Sequence, residues 1–176
     1  MKLTAYLGLT LKPAKEGSLY AITNKSKAGD LILLLNYLFF EYTRNDRALI
    51  INNLAIIDEE MDDEIVVHGT SRCLAVDLNQ PAHLYIALLQ DYFKFEDSAS
   101  GNAIDITFVD ELKKKKFESM KINRSCFLQL LQNWHTIIEK KPCNVALYRT
   151  IEGLIQFASF ATPQAAQLHE KQFCPR

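Results

Sequence analysis

Residues 125–141, "SCFLQLLQNWHTIIEKK", constrain the fold more than any other stretch of the chain. Phe127, Leu130, Leu131, Trp134, Ile137 and Ile138 recur at i, i+3, i+4 and i+7 spacing, so a helix here gathers them into one apolar stripe. Asn123 or Ser125 can accept hydrogen bonds from the first free amides. Lys140 and Lys141 sit where the helix dipole is negative, and Pro142 ends the run. Such a stripe must be covered by a second apolar surface, and Trp134, at its centre, is expected to be buried.

Strands are the natural cover. Leu3, Ala5, Leu7, Leu9 and Leu11 alternate with Thr4, Tyr6, Gly8, Thr10 and Lys12, the period of a half-buried strand. Pro13 stops it, Gly17 marks a turn, and "SLYAIT" returns, so residues 3–23 read as a hairpin. Asp30 is placed to cap a helix over 31–43, apolar nearly all round. A strand is expected from Ala48 to Ile51 or on to Ile57, and a hairpin around Gly69, Thr70 and Ser71. Pro81 suits the first turn of a helix over 81–93, in which Leu84, Leu88 and Tyr92 share a face. "AIDITFV", 103–109, alternates as a strand, and residues 144–160 close a hairpin at Gly153. The tail, 162–176, is weakly helical. The fold class expected is α+β: a mostly antiparallel sheet with helices 31–43, 81–93 and 125–141 packed on it. A chain of 176 residues is a comfortable size for one domain, and no linker-like stretch divides 1–176.

The net charge of −1 provides no global field toward nucleic acid or anionic membrane. Charge is local instead. "DEEMDDE" packs Asp58, Glu59, Glu60, Asp62, Asp63 and Glu64 into seven positions, and like charges so close repel one another. It lacks the D-x-[DN]-x-[DN]-G pattern and the glycine that lets a loop wrap calcium. It reads either as a solvated loop or as a docking surface for a basic partner. The opposite charge gathers at Lys113, Lys114, Lys115 and Lys116. Four lysines can track a phosphate backbone, but Asp110, Glu111 and Glu118 flank them and no aromatic is interleaved, so nucleic acid is the weaker reading.

No nucleotide-binding, nucleophile-elbow or zincin motif is present, and no cofactor is expected. His68, between a strand and Gly69, is the one position that invites an enzyme site, although a hairpin-end residue explains it more simply. Cys73, Cys126, Cys143 and Cys174 form no CxxC, so four reduced thiols in a cytoplasm are expected. The longest apolar run is interrupted by Asn36 and ends at Glu41, too short to span a membrane.

The stretch "FLQLLQNWHTIIEKKPCNVALYRTIEGLIQF" resembles the C-terminal part of small bacterial immunity proteins from polymorphic-toxin and contact-dependent growth inhibition systems. Leu130, Leu131, Trp134, Lys141, Pro142 and Tyr148 carry the likeness: a Leu-Leu-x-x-Trp helix, a Lys-Pro break and a strand hairpin. The resemblance implies a chain without catalysis of its own that binds one cognate protein toxin and blocks it. Many such toxins are nucleases with basic clefts, which would suit an acidic surface built from Asp58, Glu59, Glu60, Asp62, Asp63 and Glu64. An enzyme with a site near His68 and a nucleic-acid-binding accessory protein using the lysine run are the competing readings. The sequence assigns no oligomeric state.

Overall fold

A computed structural model describes residues 3–13, 19–26, 29–42, 64–99 and 106–173. The fold is α+β, with antiparallel sheets. The chain divides into two compact units, Met1–Ile32 with Gln129–Arg176, and Leu33–Leu128.

The first unit carries a four-stranded sheet in the order β2-β1-β7-β8, formed by β1 (Leu3–Pro13), β2 (Leu19–Ser26), β7 (Asn144–Thr150) and β8 (Ile155–Phe160). The expected alternation holds from Ala5 onward, with Ala5, Leu7, Leu9 and Leu11 all buried, while Leu3, expected on the same face, packs with Tyr6 beyond a register shift between Leu3 and Ala5. Leu7 pairs with Leu147 and Leu9 with Val145, so one face is continuously aliphatic across the two central strands. Leu147 in turn pairs with Phe157, and Trp134 lies against that ring. Trp134 belongs to α4 (Arg124–Glu139), and its exposure of 1% confirms the burial that the stripe predicts. Asn123 caps α4: its Oδ1 accepts from the Ser125 and Cys126 amides and the Ser125 hydroxyl. Lys141 takes the left-handed conformation (φ 47°) as α4 ends before Pro142.

The opposite face of this sheet is covered too. Tyr6, Ala146 and Tyr148 cluster with Leu3, Ala158 and Phe160. The tail forms α5 (Pro163–Phe173), and its His169 ring lies 6.0, 5.6 and 5.0 Å from the rings of Tyr6, Tyr148 and Phe160. Asp30, expected only as a helix cap, binds Arg149 at 3.0 Å.

The second unit carries a sheet in the order β3-β4-β5-β6: β3 (Glu64–His68), β4 (Arg72–Asp77), β5 (His83–Leu88) and β6 (Ser119–Asn123). Both faces of its central strands are buried. Cys73, Ala75, Tyr85 and Ala87 pack with Phe108, Val109 and Leu112 on one face, with Tyr92, Phe95 and Phe117 around them. On the other, Leu74, Val76, Leu84 and Ile86 are fully inaccessible.

Two sequence expectations are corrected here. The helix expected over 81–93 is the strand β5 followed by α2 (Leu89–Ala99). A strand buried on both faces is apolar at successive positions, so its period disappears and Leu84, Leu88 and Tyr92 mimic a helical stripe. Of the strand expected over 103–109, residues 103–105 lie outside the described residues, 106 and 107 are in no strand, and 108 and 109 open α3 (Phe108–Lys113), which the Thr107 hydroxyl caps by accepting from the Asp110 amide at 3.2 Å. The helix expected over 31–43 is present as α1 (Leu31–Asn36) continued by a π-helical segment, Tyr37–Tyr42. The strand expected from Ala48 lies outside the described residues. Cys73 is buried, Cys126 half-buried and Cys143 exposed, all three as free thiols. No helix among the described residues is long and apolar enough to cross a membrane.

Candidate functional site

The acidic run belongs to the second unit and leads into β3. Asp58, Glu59, Glu60, Asp62 and Asp63 lie outside the described residues, while Glu64 is the first residue of β3 and stands opposite Asp77 in the antiparallel register. The run is therefore joined directly to a strand that, among the described residues, is the outer one of its sheet.

Asp77 brings the lysine run to the same end of the sheet. Its buried carboxylate accepts from Lys113 Nζ at 2.5 Å and from the Asn79 amide at 2.9 Å. Burial alone would raise the Asp77 pKa, but the hydrogen bonds from Lys113 and from the Asn79 and Gln80 amides outweigh it and hold the carboxyl below its usual range. The same bond raises the Lys113 pKa. Lys113 also lies 3.6 Å from Asp110. Lys114 and Lys116 both bind Glu111, Lys114 at 3.2 Å. Those contacts, led by the hydrogen bond from Lys116, hold Glu111 below the ordinary glutamate range. Lys115 occupies the left-handed region (φ 58°) at the turn after α3. Three of the four lysines thus spend their charge on carboxylates of their own unit, the wrong arrangement for tracking a phosphate backbone, where each cation must face outward.

His68 ends β3. Its exposed ring meets Tyr92 edge-on at 4.9 Å and Phe93 at 5.8 Å. These contacts make it part of the aromatic cover of α2, as the simpler reading of a hairpin-end residue anticipates. His83, at the start of β5, and His135, whose Nε2 lies 3.1 Å from Glu139 one helical turn on, stand elsewhere. No group of three or more His, Cys, Asp or Glu side chains among the described residues is placed to hold a metal ion.

Among the described residues of the second unit, a concentrated polar arrangement surrounds a residue that the sequence reading names only as the end of an apolar run. Glu41, in the π-helical segment, is 1% exposed. Its carboxylate accepts from the backbone amides of Thr70 (2.5 Å), Ser71 (2.8 Å) and Arg72 (3.2 Å) and from the Ser71 hydroxyl (2.9 Å). Burial opposes its charge, and the four hydrogen bonds outweigh that, keeping its pKa below the ordinary glutamate value. Gly69 is required beside it: a Cβ there would stand 2.5 Å from Glu41 Oε2 and 2.7 Å from the Arg72 carbonyl. Arg72 donates to the Ser71 hydroxyl at 2.6 Å and lies over the Phe40 ring at 5.9 Å. Only one sequence signal pointed here, a lone carboxylate at the end of "LILLLNYLFFEY"; its partners lie about thirty positions away and nothing in the sequence pairs them.

No family model matches the chain, and no curated protein or solved structure is significantly similar to it.

Proposed function

We propose that this chain is a non-catalytic immunity protein that binds a cognate protein toxin in a bacterial cytoplasm and neutralises it. The acidic run Asp58, Glu59, Glu60, Asp62, Asp63 and Glu64 is its contact surface, and the toxin presents a basic cleft, as a nuclease does.

The observation that carries this reading is the entry of the run into β3. Glu64 is held by the register with β4, so the other five acids of the run precede a fixed strand residue in the chain. A charge cluster anchored in that way steers a basic partner and meets it in a defined place, which a cluster on a free tail does not. The pairing of Lys113, Lys114 and Lys116 with Asp77, Asp110 and Glu111 turns the lysine run into scaffold and weighs against the nucleic-acid reading. The aromatic packing of His68 weighs against an enzyme site there.

The test begins with capture of whatever copurifies from the native host. The captured protein is then expressed alone and together with this chain. Growth arrest by that protein alone, relieved by the wild-type chain and not by a variant with all six carboxylates changed to amides, is the expected result. Failure of the wild-type chain to relieve the arrest would dismiss the immunity reading. Full relief by the six-fold variant would move the interface elsewhere.

A further inference from the structure

The turn between β3 and β4 directs three consecutive amides, those of Thr70, Ser71 and Arg72, at a single carboxylate that belongs to another element. Successive amides converging in this way form a concave anion seat. Glu41 fills it from the π-helical segment, and π-helical turns inside helices concentrate at functional positions because they hold side chains that a regular helix would misplace. Gly69 lets the two elements approach within contact distance, and Arg72 closes the arrangement by binding the Ser71 hydroxyl, which itself donates to Glu41.

We propose that Glu41 is an acid-sensitive latch that ties the π-helical segment to the β3–β4 turn. The ionised carboxylate is acceptor-only and matches the three amides and the hydroxyl. A proton on either oxygen converts an acceptor into a donor facing donors, and the match is lost. Tyr37 in its own segment and Arg72 on β4 interact with it electrostatically, Tyr42 and Cys73 act on Tyr37 in turn, and His68 ends β3 one residue before Gly69. Arg72 keeps its charge throughout the acid range, and the Tyr37 hydroxyl is raised by burial and by Glu41, so both stay protonated there. Glu41 is the member of this group that changes charge as its carboxyl titrates. Its folded-state pKa is lowered, so the stabilisation is complete above the ordinary glutamate value and is lost as pH falls through the lower folded value. Opening frees the end of β3 opposite the one where the acidic run enters. The inference stands on this geometry and is independent of what the acidic run binds.

Amide hydrogen exchange read by NMR, corrected for intrinsic rates, tests it. On acidification, the Thr70, Ser71 and Arg72 amides of the wild-type protein should lose at least about tenfold in protection, the size expected for hydrogen bonds to a charged group. The Leu74 and Ile86 amides in the sheet interior should keep theirs. Glu41→Gln should show the low protection already at neutral pH and lose the pH dependence. Wild-type protection in Glu41→Gln would overturn the latch, as would loss of Leu74 and Ile86 protection in step with the turn. Should the variant fail to fold, the wild-type protein decides alone: the three amide shifts should follow one proton with a midpoint below the ordinary glutamate range, and shifts that stay flat through that range would overturn it.

Discussion

Trp134 and Phe157 meet with ring centroids 5.3 Å apart and planes inclined by 37°, a helix residue seated on a strand residue of the first unit. The indole is almost completely inaccessible, so truncation leaves a cavity as well as removing apolar area. Trp134→Ala should destabilise by about 3–5 kcal/mol in chemical denaturation. Native indole emission should be blue-shifted; a water-like native spectrum would contradict the packing.

Acid should loosen α5. Burial among Tyr6, Tyr148 and Phe160 lowers the His169 pKa below its ordinary value of 6.5. The unfolded chain therefore takes up a proton first, and the contribution of this residue falls as pH drops from the ordinary value through the folded one. Protease nicking within α5, followed from pH 8 to pH 5, should accelerate toward acid. His169→Phe should flatten that profile. A flat wild-type profile would mean that the ring is hydrated.

Neighbouring lysines in the 113–116 run should respond in opposite ways. Lys113→Ala leaves the buried Asp77 carboxylate without its cation, and it should destabilise by about 1–2 kcal/mol, since Asp77 keeps the Asn79 amide and Lys113 itself is partly solvated. Lys115→Gly relieves a left-handed backbone at φ 58° and should be neutral or stabilise by up to about 1 kcal/mol. Thermal melts of the two variants decide both. Equal losses would show that the run acts through bulk charge.

Neutralising the acidic run should leave the fold intact and slow association with the basic partner proposed for it. Asp58→Asn, Glu59→Gln, Glu60→Gln, Asp62→Asn, Asp63→Asn and Glu64→Gln together relieve repulsion among carboxylates adjacent in the chain, so the melting temperature should hold or rise slightly. The association rate should fall at low salt. The difference from wild type should shrink as salt rises, because charges beyond a Debye length of about 8 Å are screened in physiological salt. Unchanged association at low salt would reduce the run to a solvated loop.

The sequence displayed the first unit well. The polar Thr4, Thr10 and Lys12 leave β1 a period to read, the stripe of α4 keeps its helical spacing, and Gly153 marks the turn of the closing hairpin even though β7 is buried on both faces. The second unit hid its centre. The β3–β4 hairpin was legible from its turn at Gly69, Thr70 and Ser71, but β5 is buried on both faces, so its composition says apolar without saying strand. The short strand β6 does alternate, with Met120 and Ile122 inward and Lys121 outward, but it follows the lysine run so closely that charge masked its period. The Glu41 seat escaped for another reason. Amides are the same at every position, so a carboxylate held by backbone leaves no partner residue type to find in the sequence.

The facing of Glu64 and Asp77 across β3 and β4 has a historical consequence. Like charges at facing positions of an antiparallel pair are disfavoured as a rule, and Asp77, the register partner of Glu64, takes its counter-charge from Lys113, 36 positions downstream. A lineage that lost the lysine would be pressed to lose an acid as well, and a lineage that shed the acids would release the lysine. Positions 64, 77 and 113 should therefore drift as a trio among relatives of this chain, so that the charge of the loop and the charge of the turn after α3 are inherited as one trait.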